Sequence, residues 1–153
     1  MSIYSEKAKD LFLQGYNCSQ AVAGAFCDAV GLDEKTILAL SSSFGGGMGR
    51  MREVCGALSG AFLIMGAAEG NYPPNDHAAK AFHYQQVQSI AARFRQIHGT
   101  ILCRELLAGT GTDSKPIPDQ RTPEYYQKRP CSYMVETAAE ILEEWLLENK
   151  YLS

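Results

Sequence analysis

The chain has 153 residues, 46% of them hydrophobic and 20% charged, with a formal net charge of −3 at pH 7. That length fits one compact domain over residues 1–153, able to bury roughly two-thirds of its unfolded surface without cross-links. The acidic balance gives no basic field for nucleic acid, and the longest charge-free apolar stretch, residues 54–68, is short of the ~18–20 residues that a membrane span needs.

The periodicity is helical nearly throughout. Residues 4–14 carry Ala8, Leu11 and Phe12 at helical spacing, and Gly15 closes the segment. The same stretch mixes Glu6, Lys7, Lys9 and Asp10 with apolar residues, so it does not read as a signal peptide. Asn17 caps a second helix, "CSQAVAGAFCDAV", ending at Gly31. Asp33 caps a third, with Ile37, Leu38 and Leu40 on its inner side. "SSSFGGGMGR" then breaks the pattern, because glycines at 45, 46, 47 and 49 cannot cheaply continue a helix.

A fourth helix is expected over residues 51–68, followed by the turn "NYPPNDH". The next helix, to Gly99, places Ala78, Phe82, Val87, Ile90, Phe94 and Ile97 on one stripe. Thr100 can cap the short helix "ILCRELLA", and "GTGTDSKPIPDQRTP" is a long irregular segment. Pro130 at the first helical position opens a last helix, 131–150, with Val135, Ala138, Ile141, Leu142 and Trp145 inward. No stretch alternates with period two. The prediction is a single all-α bundle of about six to seven helices.

Five cysteines is an odd number, and a cytoplasmic, reducing location is the default, so a disulfide framework is not expected. On the predicted helices Cys18 follows the cap Asn17, Cys103 lies three residues after Thr100, Cys131 follows Pro130, and Cys55 stands about one turn into its helix. Helix N-termini favour an anion, so these four thiols are expected to have lowered pKa values. Arg52, Arg104 and Arg129 are within three residues of Cys55, Cys103 and Cys131. Cys27 is nine residues after Cys18, on the opposite face of one helix at ~100° per residue, and reads as a core residue.

Spacing alone leaves the four open to several readings. They can form a tetrathiolate site, two redox-active thiol pairs, or ordinary buried packing. No close C-x-x-C pair of the zinc-module kind is present, whereas four isolated cysteines can ligate an iron–sulfur cluster when helices converge. Gly56 and Gly60, four apart, share a face that lets another helix backbone come close.

"NCSQAV" (17–22), "FGGGMGRMREVCGALSG" (44–60), "FRQIHGTILCRELL" (94–107) and Cys131 with "ETAAEILEE" behind it resemble the C_GCAxxG_C_C family of small redox-active proteins. The resemblance covers nearly the whole chain and matches the family's four cysteines to Cys18, Cys55, Cys103 and Cys131, leaving Cys27 out. It implies an iron–sulfur cluster, of the [2Fe–2S] type, ligated by those four and used for electron transfer or redox sensing. Thiol–disulfide cycling of the same cysteines is the alternative, and a structural zinc site the third. The related split-Soret cytochromes carry c-type haem as well; this chain has no C-x-x-C-H, which excludes covalent haem here.

Other features carry less. The glycine loop could form an anion-binding nest for phosphate, but it lacks the P-loop ending and the G-x-G-x-x-G spacing, so its expected main role is to shape the approach to Cys55. His77, His83 and His98 fit no H-E-x-x-H pattern, and His98 reads as a residue at a helix C-terminus, interacting with the dipole. Glu140, Glu143, Glu144 and Glu148 read as a solvated helix face. The expected partner is a redox protein whose identity the sequence does not give, and the Tyr- and Phe-bearing helices allow a homodimer.

Overall fold

In the computed structural model, which describes residues 2–153, the chain forms eight α-helices and two short 3-10 turns. The helices are α1 (Ile3–Leu13), α2 (Cys18–Ala25), α3 (Glu34–Ser41), α4 (Gly56–Glu69), α5 (His77–His98), α6 (Cys103–Leu106), α7 (Pro123–Lys128) and α8 (Cys131–Glu148). Among the described residues there is no strand, only an isolated antiparallel bridge between Val54 and Leu102. The fold is all-α.

Side-chain caps define most helix starts. Ser2 and Asn17 close capping boxes with Ser5 and Gln20, and Asp33, Asp76 and Thr122 accept from the third residue of their helices. Gly31 and Gly99 stop their segments in the left-handed region, as the sequence predicts. Helix α2 packs between α1, α3 and α4, and α8 closes the core against α1, α4 and α5. Phe12, Phe26, Leu58, Ile64, Phe94 and Trp145 fill the interior, and the Trp145 indole N–H donates to Gln86 Oε1 at 2.9 Å.

Glycine sets the closest of these approaches. A β-carbon at Gly60 would sit 2.5 Å from the Ser19 carbonyl oxygen, so α4 can lie against the α2 backbone only where residue 60 has no side chain. The predicted shared face of Gly56 and Gly60 is therefore used.

Several boundaries differ from the sequence reading. Helix α2 stops at Ala25, so Cys27 lies in the turn entering the 3-10 segment Asp28–Val30 rather than in mid-helix. Helix α4 starts at Gly56 instead of residue 51, because Arg52 has positive φ and Val54 is bridged to Leu102; upstream of them Gly46 through Arg50 all have positive φ. Five consecutive residues in that region make a left-handed turn, which no right-handed helix can run through. Leu102, not Thr100, caps α6, although the Thr100 hydroxyl accepts from the Leu102 N–H at 3.2 Å. Pro130 is the cap of α8 rather than its first residue, and α7 raises the helix count above six to seven. Leu40, Phe82 and Ile97, predicted inward, are exposed because nothing packs over those parts of α3 and α5.

Candidate functional site

Each of the four predicted cysteines stands at the start of a helix. Cys18, Cys103 and Cys131 are the first residues of α2, α6 and α8, and Cys55 is the cap of α4. Local bonding fixes each start. The Asn17 side chain accepts from Gln20 N–H at 2.9 Å and donates to the Ser42 carbonyl at 3.0 Å, tying α2 to the glycine loop. The backbone N–H of Cys55 donates to Ile101 O at 2.8 Å, and that of Cys103 donates to Glu53 O at 2.7 Å. These two bonds flank the Val54–Leu102 bridge and hold two cysteines far apart in sequence side by side.

The four side chains line one cavity of about 70 Å³. Its other walls include Phe12, Leu107, Tyr125 and Met134, together with the guanidiniums of Arg52, Arg121 and Arg129. No carboxylate and no histidine lines it. Cys27 is absent from the lining; it is buried, with its sulfur 3.9 Å from Asp28 Oδ1. The cavity lining thus holds four of the five cysteines and leaves out Cys27, which is separated from Cys18 by the end of a helix and not by a helix face.

The glycine loop wraps this cavity more closely than the sequence suggests. A β-carbon at Gly47 would lie 2.7 Å from the Cys103 β-carbon, and one at Gly56 would overlap the Cys18 sulfur and reach Phe44 O at 2.7 Å. A side chain at Gly45 would overlap Asn17. The loop therefore shapes the surroundings of Cys18 and Cys103.

Burial, and not the helix dipole, governs the thiols. Desolvation raises the pKa of Cys18 above its ordinary value and that of Cys55 well above it. The amides of Gly46 and Ser19 oppose this at Cys18, and those of Leu58 and Ala57 oppose it at Cys55, without overcoming it. Cys131 is pushed up to about 12, by burial first and then by the nearby Cys18 and Cys103, against the pull of Arg129 and Arg121. The expected lowering of these three pKa values is corrected: at neutral pH they are thiols. Tyr125, on the same wall, is pushed to about 12 by burial and by Cys131.

The arginines are placed differently from their sequence neighbours. Arg52, near Cys55 in sequence, donates from Nη1 to the Cys103 sulfur at 3.6 Å and from Nε to Asp113 O at 2.9 Å. Arg104 instead turns outward to Glu53 at 3.2 Å. Arg129 pairs with Asp119 at 2.6 Å, which also takes Arg50 at 2.9 Å. Arg121 is a further arginine at the cavity, outside the set that neighbours a cysteine in sequence. It reaches from the irregular segment to the Phe12 and Tyr16 carbonyls at 2.8 and 2.9 Å, with its guanidinium 4.3 Å from the Phe12 ring centroid. A lone arginine in a segment without periodicity gives no signal of such a role.

The histidines stand elsewhere. His83 meets Glu69 at 2.8 Å, and His98 packs between Phe94 and Tyr133, with ring centroids 4.7 and 5.0 Å away. Burial lowers the His98 pKa, so the expected favourable dipole contact is outweighed by desolvation. Glu144 and Glu148 lie on the outer face of α8 and pair with Arg93, in line with the predicted solvated face. No helix among the described residues is long and apolar enough to cross a membrane.

All five cysteines are free, and among the described residues no three His, Cys, Asp or Glu side chains are arranged as a ready metal site. Comparison with known proteins adds one match: the family model described as "Putative redox-active protein (C_GCAxxG_C_C)" matches residues 16–145. No curated protein and no solved structure matches the chain.

Proposed function

The chain belongs to the C_GCAxxG_C_C family, and we propose that it holds an iron–sulfur cluster, of the [2Fe–2S] type, on Cys18, Cys55, Cys103 and Cys131 and serves electron transfer or redox sensing. One observation carries this reading. Four thiols from four separate helix starts line a single cavity whose charged lining is entirely arginine. An all-sulfur donor set suits iron–sulfur chemistry, and hard cations would call for oxygen ligands that this cavity lacks. A group held by four thiolates is anionic, so Arg52, Arg121 and Arg129 balance its charge in a low-dielectric setting. The volume of about 70 Å³ is of the order of a small inorganic group.

Binding asks two things of the protein. Each thiol gives up its proton, against the burial that now favours the neutral form. The side chains also turn inward from their present arrangement, in which no three form a ready site. When bound, the cluster supplies a one-electron couple. Phe12, Leu107 and Met134 line the cavity and would shield that couple from water, and a redox protein in a reducing compartment is the expected partner.

The same four free cysteines also allow a second reading, in which pairs of them cycle between dithiol and disulfide. Anaerobic purification followed by iron, sulfide and zinc analysis and visible spectroscopy separates the cases. Iron with equimolar sulfide and a bleachable visible spectrum supports the cluster. Colourless protein with zinc, or metal-free protein with a reversible disulfide, contradicts it.

A further inference from the structure

A second space adjoins the four-cysteine cavity on its outer side. It measures about 270 Å³ and shares Asn17, Gly46, Arg52, Arg121, Tyr125 and Arg129 with the inner one. Its outer wall adds Arg50, Gly49, Pro118 and Asp119. Four guanidiniums therefore face one carboxylate, in a protein whose net charge is −3. Such a local reversal of sign in a cleft concentrates anions there.

The pairing within this vestibule is incomplete. Asp119 bridges Arg50 and Arg129 at 2.9 and 2.6 Å, Asp113 meets Arg50 as well at 3.4 Å, and Arg121 is committed to the Phe12 and Tyr16 carbonyls. Arg52 is only 6% exposed and meets no carboxylate; its acceptors are a backbone carbonyl and a thiol. Its Nη2 is buried without any hydrogen-bond partner. In the metal-free protein a buried guanidinium without a counter-ion is costly, so an anion that reaches it is stabilised. The backbone is strained to put the group there, since Arg52 has φ of +62° and Arg50 of +65°.

We propose that the vestibule is a binding site for a small inorganic oxyanion, seated on Arg52 with Arg121 and Arg129 beside it, at the entrance to the cysteines. The site goes beyond the cluster reading and does not depend on it, because every group it uses is present in the metal-free protein. Asp119 competes for it: the carboxylate already occupies two of the four guanidiniums.

The test is calorimetric titration of inorganic phosphate into the full, reduced, metal-free chain at constant ionic strength held with chloride. The wild type should bind phosphate saturably at one site, with the Gly46 and Gly49 amide resonances shifting in parallel. Arg52→Gln should weaken binding at least tenfold. Asp119→Asn, at a partly exposed position, should tighten it, which keeps the test decisive if Arg52→Gln fails to fold. Absence of saturable binding, equal affinity in Arg52→Gln, or no tightening in Asp119→Asn would overturn the site.

Discussion

Gly56 faces the Cys18 sulfur so closely that a β-carbon on Gly56 would overlap it, and the same atom would press on Phe44 O at 2.7 Å. The first residue of one helix is thus held bare by the first residue of another. Gly56→Ala must displace either the thiol or the loop carbonyl, at a cost of about 1–3 kcal/mol. Gly66, on the same helix, has open space around it, so Gly66→Ala should stabilise by about 0.5–1 kcal/mol through helix propensity. Urea unfolding of the two variants should give shifts of opposite sign. Two equal shifts would mean that the contact with Cys18 carries no weight.

The raised thiol pKa values set both reactivity and alkaline stability. Cys18, Cys55 and Cys131 are protonated at pH 7, so iodoacetamide should label them slowly in the metal-free native protein and faster by about tenfold per pH unit. Up to the unfolded value of 9.0, folded and unfolded chains both keep these protons, and the thiols add no pH dependence. Above it the unfolded chain releases protons that the native chain still holds, so stability falls as pH rises from 9 towards about 12. Mass-mapped labelling and melting curves across pH 6–10 check both. Fast labelling of Cys55 at pH 7 would show that the helix dipole outweighs burial after all.

His98 acts at the acid end. Its folded pKa is held below the ordinary 6.5 by burial, so the unfolded chain takes up the proton first as pH falls. The stability from the neutral ring is present above 6.5 and lost below it. His98→Phe keeps the packing against Phe94 and Tyr133 and removes the buried, unpartnered Nε2. The variant should lose less stability than wild type between pH 7 and pH 5 in denaturant unfolding. An unchanged acid loss would place the sensitivity in other groups.

What the sequence made legible follows from how local each signal is. Asn17 and Asp33 cap helices through atoms three residues away, and Gly31 and Gly99 stop them through their own φ. Such features need no tertiary knowledge. The four glycines at 45–49 announced a break, but not that Met48, Arg50 and Arg52 would also adopt positive φ. The two arginines are held by distant partners, Arg50 by Asp119 and Arg52 by Asp113 O and Cys103. Helix α7 is six residues long, too short to show a period. The stripe on α5 had the right period, yet only Ile90 and Phe94 are fully buried, because α4 and α8 cover just part of the helix.

The cysteines divide in the same way. Their positions at helix starts could be read from Asn17 and Pro130, and the cavity gathers the same four. Their protonation could not be read, because desolvation depends on Phe12, Met134 and Tyr125, which arrive from α1, α8 and α7. The opposing charge of Arg121 comes from a segment with no pattern at all.

Serine replacement of each cysteine in anaerobically prepared protein, with iron, sulfide and visible absorbance measured, tests the cluster reading most directly. Loss of Cys18, Cys55, Cys103 or Cys131 should strip or badly weaken the cluster, since each supplies one ligand. Cys27→Ser should leave iron and sulfide unchanged and cost only about 1 kcal/mol of stability, for a buried thiol made more polar. Wild-type protein that takes up no iron and sulfide on anaerobic reconstitution, or a cluster that survives replacement of any one of the four, would contradict the account.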